Sequence, residues 1–164
     1  MSYFIEKQIN IVCLQDTHLI ESDIPSLKRL WKGDIHICGK STNSRGVAIL
    51  LNTNFEHEVL STKKDTEGNF LNLVLKLSSM TLNLITLYGP NNDNPDFFRE
   101  IESLICESSD YDILCGDFNL VLNPCMDTLN YKHTNNPKSR KKVLSMIDDF
   151  NLCDIYRQLH PTTK

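Results

Sequence analysis

Three short stretches put oxygen-bearing side chains directly after apolar runs. Residues 11–14 lead to Gln15, Asp16, Thr17 and His18. Residues 84–87 lead to Tyr88, Gly89, Pro90 and Asn91, and residues 113–115 lead to Gly116, Asp117, Phe118 and Asn119. Apolar runs of this length read as buried strands, and rigid strands hold working residues at their ends. Two carboxylates and a carboxamide make a hard oxygen set. Mg²⁺ favours such ligands and keeps several waters, so it needs few protein groups. The same ion neutralises phosphate and activates a water. A nearby tyrosine can donate a hydrogen bond to a phosphoryl oxygen as charge builds there. With an extended chain past Gly116, Asp117 and Asn119 would share one face while Phe118 packs the other way.

The elements that must position these residues follow from the apolar pattern. Strands are expected at residues 10–14, 34–38 and 47–51, with a short helix around 26–31. Residues 56–61 and 70–77 alternate apolar with polar, as half-buried antiparallel strands do. Ser78 and Ser79 form a hairpin turn into a strand over 80–88. Asn94 is an N-cap with Pro95 at the first helical position. Phe97, Phe98, Ile101, Leu104 and Ile105 then fall on one helical face. After the strand at 113–115, a polar loop spans about 120–137. A second helix, about 139–150, groups Val143, Leu144, Ile147 and Phe150. Hairpins precede helices and one strand–helix–strand unit is present, which implies an α+β class with sheets covered by a few helices. No internal domain boundary is visible.

The chain has 164 residues, 40% hydrophobic and 23% charged, enough for one domain with a real core. A net charge of −4 excludes a global basic field, so any nucleic-acid binding must be local. The six cysteines, Cys13, Cys38, Cys106, Cys115, Cys125 and Cys153, have no zinc-like spacing. Cys13 and Cys115 read as buried small hydrophobes. A reducing intracellular compartment, nuclear or cytoplasmic, is expected. Glu6, Lys7 and Gln8 interrupt the first apolar residues, so neither a signal peptide nor a membrane span is expected.

The stretches "IVCLQDTHL", "LYGPN" and "GDFN", in this order and spacing, resemble the endonuclease/exonuclease/phosphatase superfamily. Within it, "SRGVAILL" and "KSRKKVLSMIDDFNLCDIYRQLHP" also fit the apurinic-type endonuclease domain of LINE-type (non-LTR) retrotransposons. "GDFN" alone is moderately specific; the ordered set of three is strong. The resemblance implies a DNase I-like four-layer α/β/β/α sandwich and hydrolysis of a DNA phosphodiester with Mg²⁺, Mn²⁺ being an alternative. It makes Asp16 a metal ligand, where the family usually has glutamate. Aspartate is one methylene shorter, about 1 Å, and misplacement on that scale can cost about 100-fold in rate. It makes Tyr88 the active-site tyrosine and Asn91 a phosphate neighbour. Asp117 positions or deprotonates the attacking water and contributes to the metal site. Asn119 orients phosphate and assists the metal. Against the family pattern, the first strand and the final third, with its Ser-Asp-His segment, have no counterpart here. Residues 1–164 are therefore expected to be an incomplete sandwich. DNA is the expected partner and a monomer the expected state, with a reverse transcriptase downstream in a full-length element.

Each signal has a plainer reading. Asp117 and Asn91 suit turns, Asp16 and Thr17 could form a helix N-cap, and Tyr88 could be a strand-end aromatic. His18 reads as structural. His36, His57, His133 and His160 have no visible partners. Lys138, Arg140, Lys141 and Lys142 read as a solvated helix face, with phosphate contact as the alternative. Arg45 either approaches phosphate or ends a loop. Three functions remain open: a metal-dependent DNA nuclease acting as endonuclease or 3′–5′ exonuclease, a catalytically inactive retroelement remnant, and a phosphoesterase acting on a small phosphate or phospholipid.

Overall fold

A computed structural model describes residues 2–43, 45–105, 109–128 and 136–163. Cys106 and His133 lie outside the described residues. The chain divides into two compact units, Met1–Gly89 with Leu104–Phe118, and Pro90–Ser103 with Asn119–Lys164.

The first unit contains two sheets. β1 (Ile11–Gln15), β2 (Gly33–Cys38) and β3 (Val47–Asn52) form an antiparallel sheet in the order β1-β3-β2. β4 (Glu58–Lys64), β5 (Phe70–Lys76), β6 (Thr81–Tyr88) and β7 (Tyr111–Asp117) form the second, in sequence order. Its last pair, β6 and β7, is parallel. Cys38, Val47, Ile49 and Leu51 of the first sheet interlock with Leu71, Leu73, Leu75, Leu82 and Leu84 of the second. On its other face, the first sheet packs Val12, Ile35, Ile37 and Leu50 around Trp31. There Phe4 of α1 (Ser2–Glu6) and Ile24 and Leu27 of α2 (Ile24–Leu27) close the layer. Both faces of β3 are covered, which is why residues 47–51 form an unbroken apolar run. Two facing sheets, the first covered by α1 and α2, give the α+β class expected from the pattern and the sandwich that the resemblance implies.

Three expectations are corrected. The alternating strands are not half-buried: β4 is largely exposed and β5 almost wholly buried. Asn72 mimics a solvent-facing position but is 2% exposed. Its Nδ2 donates to Asn83 Oδ1 at 2.5 Å, and Asn83 Nδ2 donates to the Leu104 carbonyl at 2.8 Å and to Asp112 at 2.6 Å. Buried amides persist when paired in this way. Second, β7 is an edge strand, with Ile113 44% exposed. Third, the early helix starts and ends before the span expected at 26–31 and shares only Ser26 and Leu27 with it. A 3₁₀ turn at Glu21–Asp23 runs into α2, which has Pro25 in its first turn.

The second unit is helical. α3 (Pro95–Glu102) begins as expected, with the Asn94 side chain accepting from the Phe97 N–H. α4 (Pro124–Asp127) interrupts the polar loop. α3 packs against α5 (Pro137–Asp149), and Phe97, Phe98, Ile101, Val143 and Met146 are buried. Phe150, expected on that face, sits past the helix end with non-helical angles and is 38% exposed; Met146 fills the core instead. α6 (Ile155–Leu159), capped by Asp154, had no apolar signature. No described helix is long and apolar enough to cross a membrane.

Candidate functional site

In the first unit, pairing within one sheet and packing of the other against it bring three of the five candidates to one end. Tyr88 and Asp117 are register partners across the parallel β6–β7 ladder. Parallel strands deliver their C-terminal residues to the same edge. β1 runs alongside them: Gln15 Nε2 donates to Thr86 Oγ1 at 2.9 Å, and Cys13 and Cys115 pack against the same apolar cluster. Asp16, the next residue after β1, therefore shares this end. Gly116 makes the last step possible. Its φ is +137°, and a Cβ there would lie 2.0 Å from the Leu87 carbonyl oxygen, so only glycine keeps β7 on β6 just before Asp117. Gly89 N–H then donates to the Asp117 carbonyl at 2.6 Å.

Asp16 is exposed and sits in the left-handed region, with φ +51°. It is not a helix cap. Its Oδ1 lies 3.2 Å from His18 Nε2, so His18 serves as a neighbour of this carboxylate. Asp16, His18 and Arg45 all have positive φ, a cost of about 1–3 kcal/mol each that persists only where surroundings enforce it. Here the enforcement is visible: Thr17 N–H donates to the Gly46 carbonyl and His18 N–H to the Arg45 carbonyl, at 3.0 and 2.8 Å. The two thiols shift in opposite directions: interaction with Cys115, with burial behind it, raises the Cys13 thiol, and interaction with Cys13 lowers Cys115.

Among the described residues, no group of three or more His, Cys, Asp or Glu side chains is placed to hold a metal ion. The donors at this end are two exposed carboxylates, Asp16 and Asp117. That set suits an ion that keeps most of its water shell and needs one or two carboxylates, as Mg²⁺ does. It does not suit a closed structural site.

In the second unit, Asn91 is exposed and Asn119 adopts φ +52°. β7 stops at Asp117, so strand alternation does not extend to Asn119, contrary to the extended geometry assumed from the sequence. A residue missed by sequence reasoning organises both segments. Asn136, 7% exposed, donates from Nδ2 to the carbonyls of Asn91 and Asn119, at 3.3 Å each. Although Asn136 stands at the N-cap of α5, its side chain does not cap the helix. Asp93 does so instead, accepting from the N–H groups of Lys138 and Ser139 at 3.2 and 2.8 Å. Desolvation pushes the Asp93 carboxyl up, but the bonds from Ser139 and Lys138 outweigh it and hold the group below its ordinary range. Among the described residues the buried Ser139 hydroxyl has no hydrogen-bond partner, so the two backbone donors carry this effect.

The basic residues of α5 divide. Arg140 donates to the carbonyls of Val121 and Leu122 and Lys142 pairs with Glu102, which are structural roles. Lys138 and Lys141 are exposed. His57, without a visible partner in sequence, lies 3.3 Å from Asp34 and stacks on Phe55. The only sequence signal for Asn136 and Asp93 is their position beside the Pro137 and Pro95 helix starts.

The fold matches that of solved AP endonuclease and 3′ phosphatase structures. AP endonuclease LMAP from Leishmania major superposes with a TM-score of 0.72 at 17% identity, covering 99% of this chain and 64% of that one. The 3′ phosphatase NExo from Neisseria, solved with product DNA hairpin, gives 0.69 at 17% identity, covering 99% and 69%. In sequence, the chain is 31% identical over 172 residues to a transposon TX1 uncharacterized 149 kDa protein of Xenopus laevis. That alignment takes in 99% of this chain but only 12% of the relative's length. No family model matches the chain. A transposon protein as sequence relative and AP endonuclease and 3′ phosphatase structures as fold neighbours agree with the resemblance read from the motifs.

Proposed function

We propose that the chain is a divalent-metal-dependent hydrolase of DNA phosphodiesters, of the apurinic endonuclease or exonuclease kind. The observation that supports this most is the common strand end of Asp16, Tyr88 and Asp117. Asp16 and Asp117 would hold Mg²⁺ or Mn²⁺, and the motif resemblance gives Asn119 an assisting role. When bound, such an ion neutralises phosphate charge and acidifies a water. The Asp117 carboxylate takes the proton from the attacking water as the water oxygen bonds to phosphorus and the ester oxygen departs. Tyr88 Oη donates a hydrogen bond to a phosphoryl oxygen, where charge accumulates. Asn91 and Asn119 are assigned to phosphate oxygens. The relatives that carry the reading are a transposon protein and structures named for AP endonuclease and 3′ phosphatase activity.

The test is Mg²⁺-dependent nicking of supercoiled plasmid by the purified chain beside Asp117→Ala. Nicking should fall by at least about 100-fold in the variant, the scale of a lost acid–base partner. A parallel duplex ending in 3′-phosphate separates the phosphatase variant of the reading: phosphate release without nicking assigns it. No reaction on either substrate overturns the enzyme. The inactive-remnant reading has one observation in its favour, the short Asp16 carboxylate turned toward His18.

A further inference from the structure

We propose that Arg45 is an anchor for a DNA backbone phosphate beside Asp16, and that Asn69 is the residue that positions it. The inference rests on the DNA-directed reading above and adds a contact to it. An acidic chain with two carboxylates at its working end needs a local cation to receive a polyanion. Arg45 lies between β2 and β3 with φ +58°, followed by Gly46 at φ +94°. A Cβ on Gly46 would stand 2.8 Å from Thr17 Oγ1, so the loop approaches the residues after Asp16 as closely as backbone allows. The Thr17 and His18 N–H groups both donate into this loop. The Arg45 backbone is thereby fixed to the segment that sets Asp16.

The side chain is fixed as well. Arg45 Nη1 donates to Asn69 Oδ1 at 3.1 Å. Asn69 in turn is held by Asp65: its Nδ2 reaches Asp65 Oδ2 at 2.7 Å and its N–H reaches Asp65 Oδ1 at 2.9 Å. Gly68 N–H donates to the same oxygen at 3.0 Å. The Asn69 carbonyl accepts from the Tyr88 N–H at 2.7 Å. One asparagine therefore fixes Arg45 and Tyr88 together. The choice of partner matters. Among the described residues, Arg45 makes no ion pair, whereas Lys40 nearby is neutralised by Glu67 at 2.7 Å. A neutral carboxamide orients the guanidinium without cancelling its charge. The remaining N–H groups of the planar fork stay available for phosphate oxygens. An exposed, oriented and unneutralised guanidinium in an otherwise acidic end is a preorganised anion receptor.

The test is binding without turnover. A fluorescent duplex carrying an abasic-site analogue is titrated with the protein in EDTA, across a salt series, by anisotropy. Wild type should bind with affinity falling as salt rises. Arg45→Ala should weaken binding about tenfold and lower the slope of log K against log salt by about one. Arg45→Lys should restore the slope but only part of the affinity, because the fork is lost. Asn69→Ala should retain the slope and lose about threefold in affinity, since charge remains while orientation goes. Thermal unfolding of each variant identifies any that fail to fold, and Arg45→Lys keeps the test available if Asn69→Ala does. Salt-dependent binding by wild type, unchanged in Arg45→Ala, overturns the anchor and leaves the nuclease reading standing. Absence of DNA binding by wild type overturns both. Intact binding with no nicking removes the nuclease while the anchor survives.

Discussion

In the first unit, Tyr88 and Asp117 stand opposite each other because two parallel strands are in register. In the second, Asn91 and Asn119 are held by one amide that reaches 45 residues back and 17 residues back along the chain. The first arrangement is backed by two sheets whose facing side chains are almost fully buried. The second depends on a few polar pins: Asn136 on two carbonyls, Asp93 on two amides, Arg140 on two more carbonyls. A ladder spreads strain over many bonds, so its end residues move only if the whole unit loosens. A polar pin fails locally, and the fold around it survives.

This contrast can be broken at either end. The largest effect should come from Leu73→Ala, a side chain with no exposure between the facing sheets. It should cost about 2–5 kcal/mol, read as a lowered urea midpoint, and any nicking should vanish together with the fold. A smaller effect is expected from Asn136→Ala. It removes two 3.3 Å bonds, worth about 1 kcal/mol. Nicking should drop roughly fivefold while the urea midpoint moves little; an equal loss in both would mean that the second unit is not pinned locally. The smallest effect concerns pH. The Asp93 carboxyl is held below its ordinary range by the Ser139 and Lys138 amides. Its contribution is therefore complete above the unfolded aspartate value and disappears as pH falls through the lower folded value. Hydrogen exchange at Lys138 and Ser139 should accelerate over that window, and Asp93→Asn should remove the dependence. Exchange that tracks acid unfolding of the whole chain in both proteins would refute it.

The same contrast explains what the sequence pattern reveals. Apolar runs mark β1, β3 and β6 because burial on at least one face demands it, and the candidates Asp16, Tyr88 and Asn91 stand at or just past the ends of two of them, β1 and β6. Asn94 with Pro95 marks α3 because a cap is a local event. Asn72 misleads because its partner, Asn83, comes from another strand, and the pattern cannot show that an amide is satisfied. Asn136, Asp93 and Asn69 stay hidden for the same reason. Most of their partners lie 17 to 46 residues away, and no periodicity records such distances. Phe150 misleads because it continues the helical repeat one residue past the helix itself.

Gly116 bears on how related sequences are compared. The clash at its Cβ is with backbone, the Leu87 carbonyl oxygen, and its φ is +137°. A relative with any other residue at this position would keep aspartate, tyrosine and asparagine at every matched site, and a motif search would score it as competent. Yet its β7 would separate from β6 one residue before the aspartate. For judging whether a related chain can present that aspartate beside the tyrosine, this residue with no side chain is as informative as the carboxylate that follows it.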